Sequence, residues 1–69
     1  MNGPTIYRIW VAETIDDRWS AWFDGLAISP AVGGGTHLTG PIIDQADLFG
    51  KLLKIRDLGL TLCGVERLK

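Results

Sequence analysis

The sequence predicts an α+β fold, a four-stranded antiparallel sheet with two helices on one face, in the order β-α-β-β-α-β. Three observations predict it. A run rich in β-branched and aromatic residues, Thr5 to Ala12, lies near the start of the chain, and an alternating run, Leu60 to Lys69, closes it. The segment from Asp44 to Gly59 repeats apolar residues at helical spacing. The triplet Gly33-Gly34-Gly35 joins two short extended runs as a hairpin connection would.

The elements follow in order. Thr5 to Ala12 (TIYRIWVA) reads as a strand, with Tyr7, Ile9 and Val11 on one face and Ile6, Arg8 and Trp10 on the other. Both faces are largely apolar, which places it inside a sheet. Residues 14–25 (TIDDRWSAWFDG) read as a helix of about two turns, capped by Thr14 or Asp16 and stopped at Gly25. Trp19, Trp22 and Phe23 then share a face, and so short a helix requires that face to be buried. Leu26 to Ser29 is a short strand, ended by Pro30, and Thr36 to Gly40 returns, ended by Pro41. Asp44 is the expected N-cap of the second helix, Asp47 pairs with Lys51 at i,i+4, and Gly59 is the left-handed stop. Leu60 to Lys69 closes the sheet.

On a helical projection, Leu58, Ile55, Leu48, Leu52, Phe49, Leu53 and Ala46 occupy one broad arc, with Asp47, Lys51, Lys54 and Asp57 on the remainder. Resting on a sheet needs only about 100° of apolar surface. Leu58, Ile55, Leu48 and Leu52 suffice for that; Phe49, Leu53 and Ala46 point sideways, towards the first helix or a second protein. Arg56 interrupts the arc, either as an alkyl stem on the core or as an ion pair with Glu66 or Asp57. The element order matches the ferredoxin-like split βαβ motif. An alternative order, β-β-β-α-β, leaves residues 14–24 as a loop.

Composition narrows the function. Sixty-nine residues with 46% apolar and 22% charged side chains form one small domain, residues 5–69, behind a flexible tail at 1–4. A net charge of −1 gives no basic footprint for nucleic acid or anionic lipid. One cysteine, Cys63, and one histidine, His37, provide neither an internal disulfide nor a metal cage. No run approaches the roughly 20 apolar residues of a membrane helix, and the start of the chain has no leader pattern, so a cytoplasmic location is expected.

The candidate chemistry is sparse. Gly33 to Gly35 lacks the following helix and lysine of a phosphate loop. Asp16, Asp17 and Asp24 lack the alternating spacing of a calcium loop and read as capping and solvated residues. His37 and Cys63 have no orienting acid beside them in sequence, and Cys63 reads as a small core hydrophobe. No catalytic, cofactor or metal residue is assigned. Trp10, with Arg8 and Ile6, falls on the open sheet face; base stacking there would want aromatics on the neighbouring strand as well.

The blocks W-x-x-W-F-x-G-L-x-I (Trp19 to Ile28), G-T-x-L-x-G (Gly35 to Gly40) and D-Q-x-x-L-x-G-x-L-x-x-I-R-D-L-G-L-x-L (Asp44 to Leu62) resemble a group of short uncharacterised bacterial α+β proteins. The resemblance implies a bacterial, cytosolic, free-standing domain and brings no catalytic residue with it. The expected function is a non-catalytic interaction domain that self-associates as a dimer through Trp10, Arg8, Phe49, Leu53 and Arg56. The alternative is a regulatory domain binding a small ligand near Arg8 and the Gly33–Gly35 hairpin.

Overall fold

The structure, a computed structural model, describes residues 4–69; the expected flexible tail lies outside them except for Pro4, which is exposed. The chain forms β1 (Thr5–Val11), a 3₁₀ turn (Asp17–Ser20), β2 (Ala27–Pro30), β3 (Thr36–Ile42), α1 (Gln45–Asp57) and β4 (Leu62–Arg67). The four strands make one antiparallel sheet in the order β2-β3-β1-β4. β1 is therefore an inner strand, as its two apolar faces require, and each of the longer connections, β1 to β2 and β3 to β4, skips one strand.

Among the described residues the sheet carries one α-helix, not two. Residues 14–25 wind as a 3₁₀ turn followed by a tight reversal. Asp16 caps the turn by accepting from the Arg18 amide at 3.0 Å. The reversal closes with Asp24 N–H donating to the Ala21 carbonyl and Gly25 N–H to the Ser20 carbonyl at 2.8 Å. Those two bonds form the helix-ending Schellman pattern, with Asp24 at φ 57° in the left-handed position. Gly25 is thus part of the stop, but the left-handed turn begins one residue earlier than the sequence suggests. Trp19, in the 3₁₀ turn, and Trp22, in the reversal that follows it, are 40% and 42% exposed, while Phe23 alone is fully buried. The expectation that all three aromatics are buried fails because the regular winding ends at Ser20, so the three no longer share one helical face.

The core lies between the sheet and this connected layer. Ile9 and Val11 of β1, Leu38 and Ile42 of β3, Phe23 and Leu26 of the connection, and Leu48 and Ile55 of α1 form it. The register explains the membership: Ile9 faces Leu38 and Val11 faces Thr36, so one side of the sheet is apolar along both inner strands. Thr36 is buried among them without a polar deficit. Its hydroxyl donates to the Glu13 carbonyl at 2.8 Å and accepts from the Ile15 amide at 3.1 Å, tying the end of β1 to the 3₁₀ connection. β3 runs on through Pro41 to Ile42, past the expected end at Gly40. This is possible because β2 reaches only as far as Thr39, so the missing Pro41 amide leaves no ladder bond unmade.

α1 opens on Asp44, whose carboxylate accepts from the Asp47 amide at 2.8 Å, while the Asp47 carboxylate accepts from the Ile43 amide at 2.9 Å. This is a variant of the capping box, with Asp in the place of the usual Glu and the amide of Ile43, one residue before the cap, as the second donor. Leu48 and Ile55 are buried and Leu52 and Leu58 half-buried against the sheet, as the projection requires. Lys51 departs from it. Placed with the solvated residues in sequence, it is only 5% exposed, because it lies on the flank that meets the β1–β2 connection. Cys63 departs in the other direction. The β1–β4 register shifts between Trp10 and Val11, which leaves Cys63 unpaired in a bulge and exposed rather than in the core.

Candidate functional site

Because side chains alternate along a strand, the residues of β1 that do not face the core point to the uncovered side of the sheet. There Arg8 stands opposite Thr39 and Glu66, and Trp10 opposite His37 and Gly64. Arg8 Nη1 donates to Glu66 Oε1 at 3.2 Å across the β1–β4 pair. Trp10 is 40% exposed and meets His37 edge-on, with ring centroids 6.2 Å apart and planes at 74°. The hairpin fixes the indole from below: a Cβ at Gly35 would fall 2.7 Å from Trp10 Nε1 and 2.4 Å from the Val11 carbonyl. Only glycine permits that close approach. Arg8, Trp10, His37, Gly64, Val65 and Glu66 line a shallow depression of about 420 Å³.

This face offers an aromatic surface and a neutralised ion pair. His37 and Cys63 lie on strands separated by β1, roughly 10 Å apart across two strand spacings. For nucleic acid it supplies one indole and one arginine already engaged by Glu66.

The second surface is the outer side of α1. Phe49 is 58% and Leu53 49% exposed, one turn apart, with Ala46 exposed beside them. Arg56 is exposed and pairs with its neighbour Asp57 at 3.0 Å, so it reaches neither the core nor Glu66. The five expected interface residues therefore form two groups on opposite sides of the molecule. Arg8 and Trp10 lie on the uncovered sheet face; Phe49, Leu53 and Arg56 lie beyond the helix. One twofold interface cannot use both.

A third cluster had little signal in the sequence. Lys51 lies between Asp47, its i,i+4 neighbour, and Asp24, whose carboxylate is 3.2 Å away. Lys54 reaches the same Asp24 carboxylate, donates to the Trp22 carbonyl at 2.9 Å, and sits 5.5 Å from the Trp22 ring centroid. Hydrogen bonds from Lys54 and Lys51 hold the Asp24 carboxyl below its ordinary pKa, and the Lys51 bond followed by the Ile43 amide does the same for Asp47. Burial pulls Lys51 down, but the bonds to Asp47 and Asp24 outweigh it and leave the ammonium above the ordinary lysine value. Asp16 is likewise held low by its side-chain and backbone bonds to Arg18. These acids act as structural counter-ions. Glu13 is held instead by neutral donors: its carboxylate accepts from the Thr61 amide and hydroxyl, both at 2.7 Å, and its pKa is lowered by those bonds. The sequence shows the Asp47–Lys51 pair at i,i+4, but for the rest of the cluster it offers only the Asp24-Gly25 turn dipeptide and the position of Lys51 beside Ile55 on the helical projection.

No helix among the described residues is long and apolar enough to cross a membrane. A family model described as a domain of unknown function, DUF8691, matches residues 6–66, and the chain belongs to that family. No curated protein and no solved structure matches the chain.

Proposed function

We propose that this member of the DUF8691 family is a small, non-catalytic domain that acts by pairing with a second copy of itself. The observation that carries the reading is a reversed balance of apolar side chains. Eight hydrophobic residues form the core, whereas ten large ones among the described residues remain exposed, Trp10, Phe49 and Leu53 among them. Single exposed apolar residues are ordinary, but adjacent ones on a helix face mark an interaction surface. A domain this small hides only about 60% of its unfolded surface, and pairing supplies further burial.

Charge favours a second copy as the occupant. A net charge of −1 neither repels an identical chain nor selects a strongly charged partner. Edge-to-edge pairing is disfavoured, because β2 is four residues long and ends in Pro30, and β4 is bulged at Cys63 and carries Glu66 and Arg67. Faces are left. Sedimentation or light scattering at tens of micromolar should give twice the 7.6 kDa chain mass. A strict monomer across that range overturns the reading.

A second reading rests on the depression beside Trp10. Arg8 and Glu66 present unlike charges next to an indole face, which suits a small zwitterionic or aromatic ligand. A panel of amino acids and nucleotides should then raise the melting temperature, with Trp10→Ala abolishing the rise. No shift across the panel removes this reading.

A further inference from the structure

We infer that the peptide link between Asp24 and Gly25 is a site of isoaspartate formation, and that Lys51 and Lys54 of α1 form a lock that slows it. The inference is independent of the self-association reading. Asp24 is the only aspartate in the chain that is followed by glycine. Glycine has no Cβ to shield its nitrogen, so here that nitrogen has the least hindered path to the preceding side-chain carboxyl. Both residues are exposed, and a Cβ built at Gly25 meets no atom within 4 Å, so solvent water reaches the link freely.

The reaction is an isomerisation. The Gly25 nitrogen bonds to Asp24 Cγ, and its proton leaves with the carboxyl hydroxyl as water. Water then adds back to the succinimide ring. Opening at Cγ restores aspartate; opening at the main-chain carbonyl leaves Gly25 joined through the Asp24 side chain. Mass is unchanged and the backbone gains one methylene.

The folded chain restrains both reacting groups. The Gly25 amide donates to the Ser20 carbonyl at 2.8 Å, which engages the proton that must leave. Lys54 Nζ lies 3.2 and 3.3 Å from the two Asp24 carboxylate oxygens, and Lys51 Nζ lies 3.2 Å from one of them. A carboxylate resists attack because it has no hydroxyl to release as water, whereas the neutral acid has one. The two ammoniums stabilise the unreactive form, and the Asp24 pKa is lowered accordingly. Lys51 is buried and bonded to Asp47, and Lys54 donates to the Trp22 carbonyl at 2.9 Å, so both are themselves held in place. Among the described residues, no other charged side chain pairs with Asp24. The added methylene displaces the Gly25 amide from Ser20 and the carboxylate from the lysines, between the buried side chains of Phe23 and Leu26. Conversion therefore unfastens the β1–β2 connection from α1.

The test ages the whole chain at about 37 °C, in buffer and in unfolding urea, and locates isoaspartate by peptide mapping with fragmentation that separates the two isomers. Asp24 should convert at least about tenfold faster in urea, since each unit by which a carboxyl's pKa is depressed cuts its neutral fraction about tenfold. Conversion in urea should accelerate as pH falls from about 7 to about 5, and in the folded chain that acceleration should be displaced to lower pH. This readout needs no variant. Lys54→Met in a chain that stays folded should convert at least about fivefold faster than the natural chain, and Lys54→Arg, which keeps the charge, should not. Equal rates in buffer and urea, a coincident pH dependence, or a folded Lys54→Met chain no faster than the natural one overturns the lock. Unfolded chain that accumulates isoaspartate at another aspartate ahead of Asp24 overturns the site.

Discussion

Residues 14–25 and residues 44–59 begin from the same kind of signal and end as different structures. Each opens on an aspartate cap, each places apolar residues three and four apart, and each closes with paired bonds, one to the carbonyl three residues back and one to the carbonyl five back. The second becomes a 13-residue α-helix ended by Gly59 at φ 74°, with Gly59 N–H on the Arg56 carbonyl and Leu60 N–H on the Ile55 carbonyl. The first becomes a 3₁₀ turn ended by Asp24. Length decides between them. A long segment can commit a whole apolar face to the sheet, whereas a short one gains most by burying a single large side chain, Phe23, and letting the others turn outward. The stops differ too. Gly59 tolerates the left-handed conformation because it lacks a Cβ; Asp24 is held there by Lys51 and Lys54 of α1.

Substitutions can break this comparison. The largest effect should come from Phe23→Ala, which empties a fully buried site and costs about 3–5 kcal/mol, whereas Trp22→Ala, at a half-exposed position, should cost under about 1 kcal/mol. Urea unfolding measures both, and equal costs would mean the two aromatics share one buried helical face after all. Gly59→Ala forces a Cβ into the left-handed region and should cost about 1–2 kcal/mol, with α1 fraying at its last turn in hydrogen exchange. At Asp24, glycine relieves the backbone but removes both ion pairs, so Asp24→Gly should change stability at pH 7 much less than Gly59→Ala does. A larger loss would show that the carboxylate alone holds the connection to α1.

The smallest effect is a pH dependence. Asp24 and Asp47 have carboxyls held below their ordinary values, so the unfolded chain binds their protons more readily. Their contribution is full above the unfolded aspartate pKa of about 3.9 and is lost as pH falls through the lower folded values. Lys51 is shifted upward, so its contribution persists from neutrality to about pH 10.4 and is lost as pH rises through its folded value. Melting temperatures from pH 7 to pH 2 should fall less steeply for Asp24→Asn than for the natural chain. Parallel curves would remove Asp24 as a source of acid lability.

The same contrast explains how much the sequence revealed. The strands, the glycine hairpin, the Asp44 cap, the Gly59 stop and the sheet-facing Leu48, Leu52, Ile55 and Leu58 follow from local chemistry and periodicity, and all are present. What escaped depends on partners distant in sequence. Lys51 is buried because Asp24, 27 positions earlier, meets it, and Thr36 and Glu13 are polar clamps across 21 to 48 positions. Cys63 left the core through a register shift that alternation alone does not disclose. Of the expected interface, exposure of Trp10, Phe49 and Leu53 was legible as surplus apolar surface; their division between two faces required the sheet.

The blunt ends of the sheet have a consequence for assembly size. With a proline finishing one border and a bulge distorting the other, ribbon-like growth by successive strand addition has no template at either side. Under the self-association reading, contact is left to the faces of the molecule, and a twofold contact closes at two copies where an open, propagating one would yield fibres.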